Sequence, residues 1–133
     1  MKKTRILYSV LVFLLAICIV SVSYGYEILP CADAVFSSAT PSLLSSKSVT
    51  FTAFTTTPKA NIHVSACWLE MKINGSWDKV CDLTAPSASV SNVMVFSTTK
   101  SYASQIGTGT FRVWATFIAD GHEVTRCSNE RTF

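Results

Sequence analysis

The chain has 133 residues, with 11 basic and 8 acidic side chains and a formal net charge of +3. Three of the basic residues lie in the first 25 positions, so residues 26–133 carry eight basic and eight acidic side chains and are neutral overall. A neutral body lacks the basic footprint that nucleic-acid binding requires, which excludes that class of partner. Its length permits one domain with a modest core.

Residues 1–25 are predicted to form a secretory signal helix. Lys2, Lys3 and Arg5 precede an apolar run over residues 6–20. Small residues at positions 23 and 25 satisfy signal peptidase and place the cleavage before Tyr26, and Ser21 with Ser23 offers a second cleavage position. The alternative is a membrane anchor over residues 6–22, which reaches only the lower limit of a membrane span. In either case residues 26–133 are expected to be extracellular, and any membrane contact is made by the signal segment alone.

Removal of the signal would also remove Cys18 and leave an even number of cysteines. An even count in a small exported domain favours disulfides over free thiols. No CxxC or HxxxH pattern is present, so metal binding is not predicted. The four cysteines expected to form two disulfides are Cys31, Cys67, Cys81 and Cys127.

The segment between Cys67 and Cys81 predicts a β-hairpin that turns at Asn74-Gly75. A three-residue loop that ends with Gly75 would place Cys67 opposite Cys81, whereas a two-residue turn would place Cys67 opposite Asp82. We favour the first register and the pair Cys67–Cys81. The second disulfide is then Cys31–Cys127, which would tie the first strand to the last and stabilise the fold by roughly 4–5 kcal/mol through loop entropy.

Alternating polar and apolar residues predict short strands along the rest of the chain. One edge strand is expected within residues 26–48, and residues 56–61 are predicted to form a turn-rich connection. Asp120-Gly121 is predicted to turn the chain into the last strand. Six or seven strands at this spacing are typical of a β-sandwich. The strand segments are residues 48–53, 62–69, 76–83, 90–96 with an extension to 104, 110–118 and 122–127.

Three landmarks, in this order, carry a family resemblance: Asn74-Gly75-Ser76-Trp77, Gly109-Thr110-Phe111-Arg112-Val113 and Asp120-Gly121. They resemble small immunoglobulin-like or fibronectin-type-III-like modules, which are common in secreted proteins of Gram-positive bacteria. The likeness covers about residues 47–128. It implies an all-β, immunoglobulin-like antiparallel β-sandwich of about seven strands in a single domain over residues 26–133. Many such modules have no known activity, and fold does not fix function.

Two departures from the antibody-type pattern accompany this resemblance. The spaced Cys…Trp…Cys arrangement is absent, because Cys67 and Trp68 are adjacent. Phe111 stands where a corner tyrosine is expected, so the hydroxyl that would bond the backbone is missing.

The chain lacks the motifs of the common enzyme classes. His63 and His122 are its only histidines, and no G-x-S-x-G, HExxH or glycine-rich phosphate loop is present. Glu70 and Asp78 are predicted to face each other across the hairpin, where their neighbours Lys72 and Lys79 favour a charged strand edge. We therefore predict neither catalysis, nor a metal, nor a cofactor.

Strand alternation predicts a binding surface on the outer side of one sheet. If Phe111, Val113 and Trp68 face the core, a second set of side chains lies on the opposite side. Tryptophan, methionine and arginine on an outer face favour binding of a partner. The alternatives are that residues 26–36 cover this face, or that the register is shifted by one and the two sides are exchanged. The predicted binding residues are Leu69, Met71, Trp77, Arg112 and Trp114.

These features together predict a secreted, non-catalytic binding or adhesion module at the cell surface or in the medium. Its expected partner is an extracellular protein or a glycan. The alternative function is a small secreted effector, such as an inhibitor of an extracellular enzyme. An inhibitor would present a rigid loop, for which the Asn74-Gly75 turn braced by a Cys67–Cys81 disulfide is the candidate.

Overall fold

A computed structural model describes residues 33–133 of the chain. The predicted signal peptide and Cys31 therefore lie outside the described residues. The regular secondary structure of residues 33–133 consists of strands, with no helix, which confirms the all-β prediction. No helix that could cross a membrane is therefore found among these residues. The strands are β1 (Phe36–Leu43), β2 (Ser48–Lys59), β3 (Ile62–Ile73), β4 (Ser76–Leu83), β5 (Ser89–Val90), β6 (Val93–Ser101), β7 (Thr110–Ala119), β8 (His122–Cys127) and β9 (Arg131–Thr132).

The strands form two antiparallel sheets. The smaller sheet has the order β1-β2-β6, and the larger has the order β4-β3-β7-β8, with β5 added to β3 and β9 added to β7. The predicted strand at residues 76–83 has these bounds in the structure, and β1 is the edge strand expected before residue 48. The connection predicted at residues 56–61 is shorter than expected, because β2 continues to Lys59.

The inner faces of the two sheets share one hydrophobic core. Phe51 of β2 is fully buried and contacts Phe117 of β7 and Tyr102, with ring centroids 6.5 Å apart in both pairs. Tyr102 follows β6 and donates its hydroxyl to the carbonyl of Thr84 at 2.8 Å. Burial raises the pKa of the Tyr102 hydroxyl, and a hydrogen bond with Cys67 raises it further. Tyr102 therefore stays protonated and joins the end of β6 to the chain after β4.

The hairpin of β3 and β4 has a two-residue turn, and the predicted three-residue loop is wrong. Ile73 pairs with Ser76, and both Asn74 and Gly75 have positive φ angles, of 50° and 85°. This is the left-handed pair that an Asn-Gly turn adopts. One extra residue in β4, Val80, then shifts the register between Leu69 and Glu70.

The shifted register removes the predicted pairing of Cys67 with Cys81. Cys67 lies opposite Leu83, and Cys81 lies opposite Leu69. Cys67, Cys81 and Cys127 are free thiols in this structure. Cys67 is buried, with its sulfur 3.6 Å from the Tyr102 hydroxyl, and burial raises the pKa of its thiol. It therefore packs as a small apolar side chain.

Cys127 lies on the outer side of the larger sheet, opposite Trp114. Burial raises the pKa of its thiol as well. Cys127 is the last residue of β8. Asp33, the first described residue, lies at the other end of this strand, where it accepts a hydrogen bond from His122 at 2.8 Å. Those two ends of β8 are separated by about 16 Å of strand. The proposed partner of Cys127, Cys31, lies outside the described residues, so that pairing stays a prediction.

A second irregularity, in β3, decides which side chains face the core. Val64 pairs with Phe117 and Ala66 with Thr116, so Ser65 is an extra residue relative to β7. Because alternation restarts after this bulge, Cys67 and Leu69 point inward, and Ala66 and the neighbouring Trp68 point outward. Strict alternation predicts the opposite arrangement beyond Ser65.

Candidate functional site

The outer side of β4, β3 and β7 carries all three tryptophans of the chain. We call this surface the tryptophan face and define it by Trp68, Glu70, Trp77, Arg112 and Trp114. Trp68 pairs with Trp114 across the strands, and Glu70 pairs with Arg112. Trp77 joins from β4, where it pairs with Lys72. Since these positions alternate with core residues, the five side chains share one side of the sheet.

Three aromatic rings and three cations form a continuous stack across this face. The rings of Trp68 and Trp114 are nearly parallel, with centroids 5.9 Å apart and an interplanar angle of 9°. The guanidinium of Arg112 lies 5.5 Å from the centroid of Trp114 and 4.2 Å from that of Trp77. Contacts of this kind contribute about 0.5–1 kcal/mol each at exposed positions and more when they are shielded from water.

Two lysines complete the stack at its ends. Lys79 lies 5.9 Å from the centroid of Trp68, and Lys72 lies 5.4 Å from that of Trp77. Each indole ring therefore has two partners within 6 Å of its centroid. The rings are half-buried, and their orientation is fixed by these neighbours.

Glu70 connects the stack by accepting two hydrogen bonds through one carboxylate oxygen. Arg112 donates Nε–H at 2.6 Å and Trp114 donates Nε1–H at 2.9 Å. Burial raises the pKa of the Glu70 carboxyl, but the hydrogen bonds from Trp114 and Arg112 and the charge of Arg112 outweigh it, so the net pKa is lowered. The folded protein thus favours the charged carboxylate.

The structure brings together three of the five predicted binding residues. Trp77, Arg112 and Trp114 lie on the tryptophan face. The placement of Leu69 and Met71 on this face is wrong. Leu69 is 0% exposed and lies in the core, and Met71 is half-buried on the inner side, opposite Phe111. Both errors have one cause, the bulge at residue 65.

Sequence reasoning missed two members of the face. Trp68 was expected in the core, and Glu70 was expected opposite Asp78, whereas Glu70 lies opposite Lys79 in β4 and Arg112 in β7. The pairing of opposite charges across strands was the available signal, since a carboxylate between two cations is more stable than one opposite another carboxylate.

Each histidine has one polar partner in the described part of the chain. The Nδ1 of His63 lies 2.5 Å from Oδ1 of Asn61, and His122 contacts Asp33. No hydroxyl or thiol within residues 33–133 is hydrogen-bonded to either ring. The contact of His63 is local, with a residue two positions earlier, whereas that of His122 joins the start of β8 to the chain before β1.

Comparison with known proteins gives no relative: no family model, curated protein or solved structure matches the chain significantly.

The Glu70 carboxylate makes the tryptophan face sensitive to acid. Its pKa is about 4.5 in the unfolded chain and lower in the folded one, so its contribution is complete above pH 4.5 and is lost as the pH falls through the folded value. We expect the free energy of unfolding to fall with acidification in this range, measured by urea denaturation at about pH 7, 4.5 and 3.5.

A Glu70→Gln variant is the matched control for this pH dependence. The variant is less stable at neutral pH but loses less of its stability on acidification, because the shifted group is gone. Asp33 contributes equally to the pH dependence of both proteins. Burial raises the pKa of its carboxyl, but the hydrogen bonds from His122, Val35 and Phe36 outweigh burial, so the net pKa is lowered. Identical pH slopes for the two proteins would contradict the role assigned to Glu70.

Proposed function

We propose that the chain is a secreted, non-catalytic recognition module that binds an extracellular protein through its tryptophan face. The main observation that supports this proposal is that three tryptophans and Arg112 lie together, half-exposed, on one side of a single sheet. Tryptophan and arginine are the residues most enriched in binding hot spots. The stack holds its own side chains in place, so little conformational entropy remains to be lost on binding.

The ring contacts favour a protein over a glycan as the partner. A sugar that stacks on an indole needs an open ring face. Each ring already has two neighbours within 6 Å of its centroid. The ring edges remain for a partner. The ends of Lys72 and Lys79 form exposed salt bridges with Glu130 at 3.6 Å and Asp82 at 2.7 Å, so the rim of the face carries both charges. Such a mixed rim suits the side chains and carbonyls of a protein surface.

The strand order supports an immunoglobulin-like sandwich for this module. The sheets β1-β2-β6 and β4-β3-β7-β8 correspond to A-B-E and C′-C-F-G, the order that such modules have when a C′ strand extends the C-F-G sheet. Tyr102, in the connection from β6 to β7, supplies a buried hydroxyl bonded to a main-chain carbonyl, although Phe111 does not.

Affinity capture from the extracellular fraction of the producing cells tests the proposal. The bait is the protein expressed from the full chain, compared with its Trp77→Ala variant, since Trp77 lies on edge strand β4. We expect a protein that the wild type retains and the variant loses by at least about tenfold in affinity. Near-UV circular dichroism verifies that the variant is folded.

A Phe54→Ala variant serves as the matched control, because Phe54 is an aromatic residue exposed on the other sheet. Capture by this control should equal that of the wild type. Retention of a glycan instead, equal capture by the Trp77→Ala variant, or no captured protein would each overturn the proposal.

A further inference from the structure

Most of the exposed large apolar side chains of residues 33–133 lie on a part of the fold that the proposed function does not use. Residues 33–133 contain six large apolar side chains that are clearly exposed. Four of them lie on β6 and its neighbour β2: Phe54, Val93, Met94 and Val95. Because successive residues of a strand point to opposite sides, Met94 lies on the side of buried Phe96, and the other three form a patch on the outer side. Phe54 is 44% exposed and lies directly opposite Val95, which is 48% exposed. This patch belongs to β6 and its neighbour β2.

Strand β6 is an edge strand that is open to pairing. It is nine residues long, and β2 is its only strand partner among residues 33–133. Its pairing with β2 runs without a register shift from Ser101 to Val95. Its outer backbone edge is therefore a regular row of donors and acceptors, which is the template that a further strand requires.

The other three sheet edges carry the features by which proteins prevent such pairing. Strand β1 contains Pro41 and a register shift near its start. Strand β4 contains a bulge and three charged residues, and β8 contains Glu123 and Arg126. Strand β6 has no proline, and where its pairing with β2 shifts, between Val95 and Val93, the extra residues belong to β2. Residues 83–99 contain no charged side chain.

We propose that β6 pairs antiparallel with β6 of a second copy of this chain and forms a continuous six-stranded sheet. The near absence of charge makes β6 self-complementary, and we therefore take a second copy as its partner. Lys100 is the only charged residue of β6, so only a register centred on Lys100 would oppose like charges. A register centred on Val95 pairs Val93 with Ser97 and places the two Val95 side chains next to each other, so the apolar patches of the two copies become continuous.

Sedimentation velocity over a concentration series tests this pairing with protein expressed from the full chain, so that any N-terminal processing is the cell's own. We expect a dimer of the wild type. A Val95→Lys substitution places a charge in the pairing edge and should weaken dimerisation by at least about tenfold. If that variant does not fold, Ser97→Lys tests the same edge, because Ser97 is exposed and lies opposite Val93 in this register.

Val80→Lys is the matched control, because Val80 is 49% exposed and lies on the protected edge strand β4. This variant should dimerise like the wild type. Amide hydrogen exchange should slow at residues 93–97 as the protein concentration rises. A monomeric wild type, an intact dimer in Val95→Lys, or equal weakening by Val80→Lys would overturn the proposal. None of these outcomes bears on the tryptophan face, which lies on the other sheet.

Discussion

Replacing Leu69 with alanine is expected to lower the free energy of unfolding by about 2–5 kcal/mol. Leu69 is 0% exposed and packs in the shared core, where it pairs with Val113 of β7 and Cys81 of β4. Truncation removes apolar surface and leaves a cavity that the antiparallel neighbours cannot fill without moving. Small domains are stable by only about 5–15 kcal/mol, so this loss is a large share of the total stability. Urea denaturation measures it as a lower denaturation midpoint.

Ile73 on the same strand provides the control for this measurement. It is 44% exposed, so Ile73→Ala should change the free energy of unfolding by no more than about 0.5–1 kcal/mol. If Leu69→Ala folds as stably as the wild type and instead alters partner binding, the position of Leu69 in the core is wrong. The alternation-based assignment of Leu69 to the binding surface would then be correct.

The strands themselves were largely predictable from sequence, because local chemistry determines them. Alternation of polar and apolar residues identified β4 and most of β7, and the turns at Asn74-Gly75 and Asp120-Gly121 contain the residue types that tolerate positive φ. Asp120 has a further role that lies beyond local pattern. Its carboxylate accepts hydrogen bonds from the main-chain N–H groups of Ala60 and Asn61, at 3.1 and 2.9 Å, and joins two turns distant in sequence.

The side of the sheet on which each residue lies was not predictable beyond the bulges. Ser65 and Val80 are ordinary strand residues, and neither residue type signals an extra position. One inserted residue reverses every side chain that follows it. The bulge at Ser65 moved Leu69 into the core and Trp68 onto the outer side, and the bulge at Val80 added one residue to the offset between Cys67 and Cys81 that the two-residue turn creates.

The cysteines illustrate how the same error propagates into chemistry. The prediction of a Cys67–Cys81 bridge depended on a turn with one more residue than the structure has. The observed register gives Cys67 a place in the core beside Tyr102, where a thiol fits as a small apolar group. Without that bridge, the Asn74-Gly75 turn lacks the disulfide brace that the inhibitor hypothesis required.

The ion pair of Arg112 and Glu70, which lies between the aromatic rings, holds the side chains of the tryptophan face in place. Arg112 contacts two rings and the Glu70 carboxylate, and Glu70 in turn accepts a hydrogen bond from Trp114. The side chains of Arg112 and Glu70 are only 25% and 16% exposed, so their attraction is less screened than that of a surface pair. Arg112 is therefore the residue on which the arrangement of the whole face depends.

Substitution of Arg112 by alanine is expected to lower the free energy of unfolding by about 2–3 kcal/mol. This lies between the value of up to about 1 kcal/mol for an exposed ion pair and about 3–5 kcal/mol for breaking a buried one. The variant leaves Glu70 without its cation and Trp77 without its closest ring contact. The free energy of unfolding of Arg112→Lys should lie between those of Arg112→Ala and the wild type, because lysine keeps the charge but lacks the planar group that stacks on indole.

Arg126→Ala is the matched control for this last prediction, since Arg126 is an exposed arginine whose side chain contacts the carbonyl of its neighbour Thr125. Its free energy of unfolding should stay within about 0.5 kcal/mol of the wild type. Near-UV circular dichroism should lose the signal of the Trp68–Trp114 pair in Arg112→Ala only. Arg112 holds the Glu70 carboxylate oxygen to which Trp114 donates its hydrogen bond, and Trp114 in turn positions Trp68. Equal stability of the two alanine variants would show that the stack orders itself without Arg112, and the rigidity on which the proposed binding function depends would need another source.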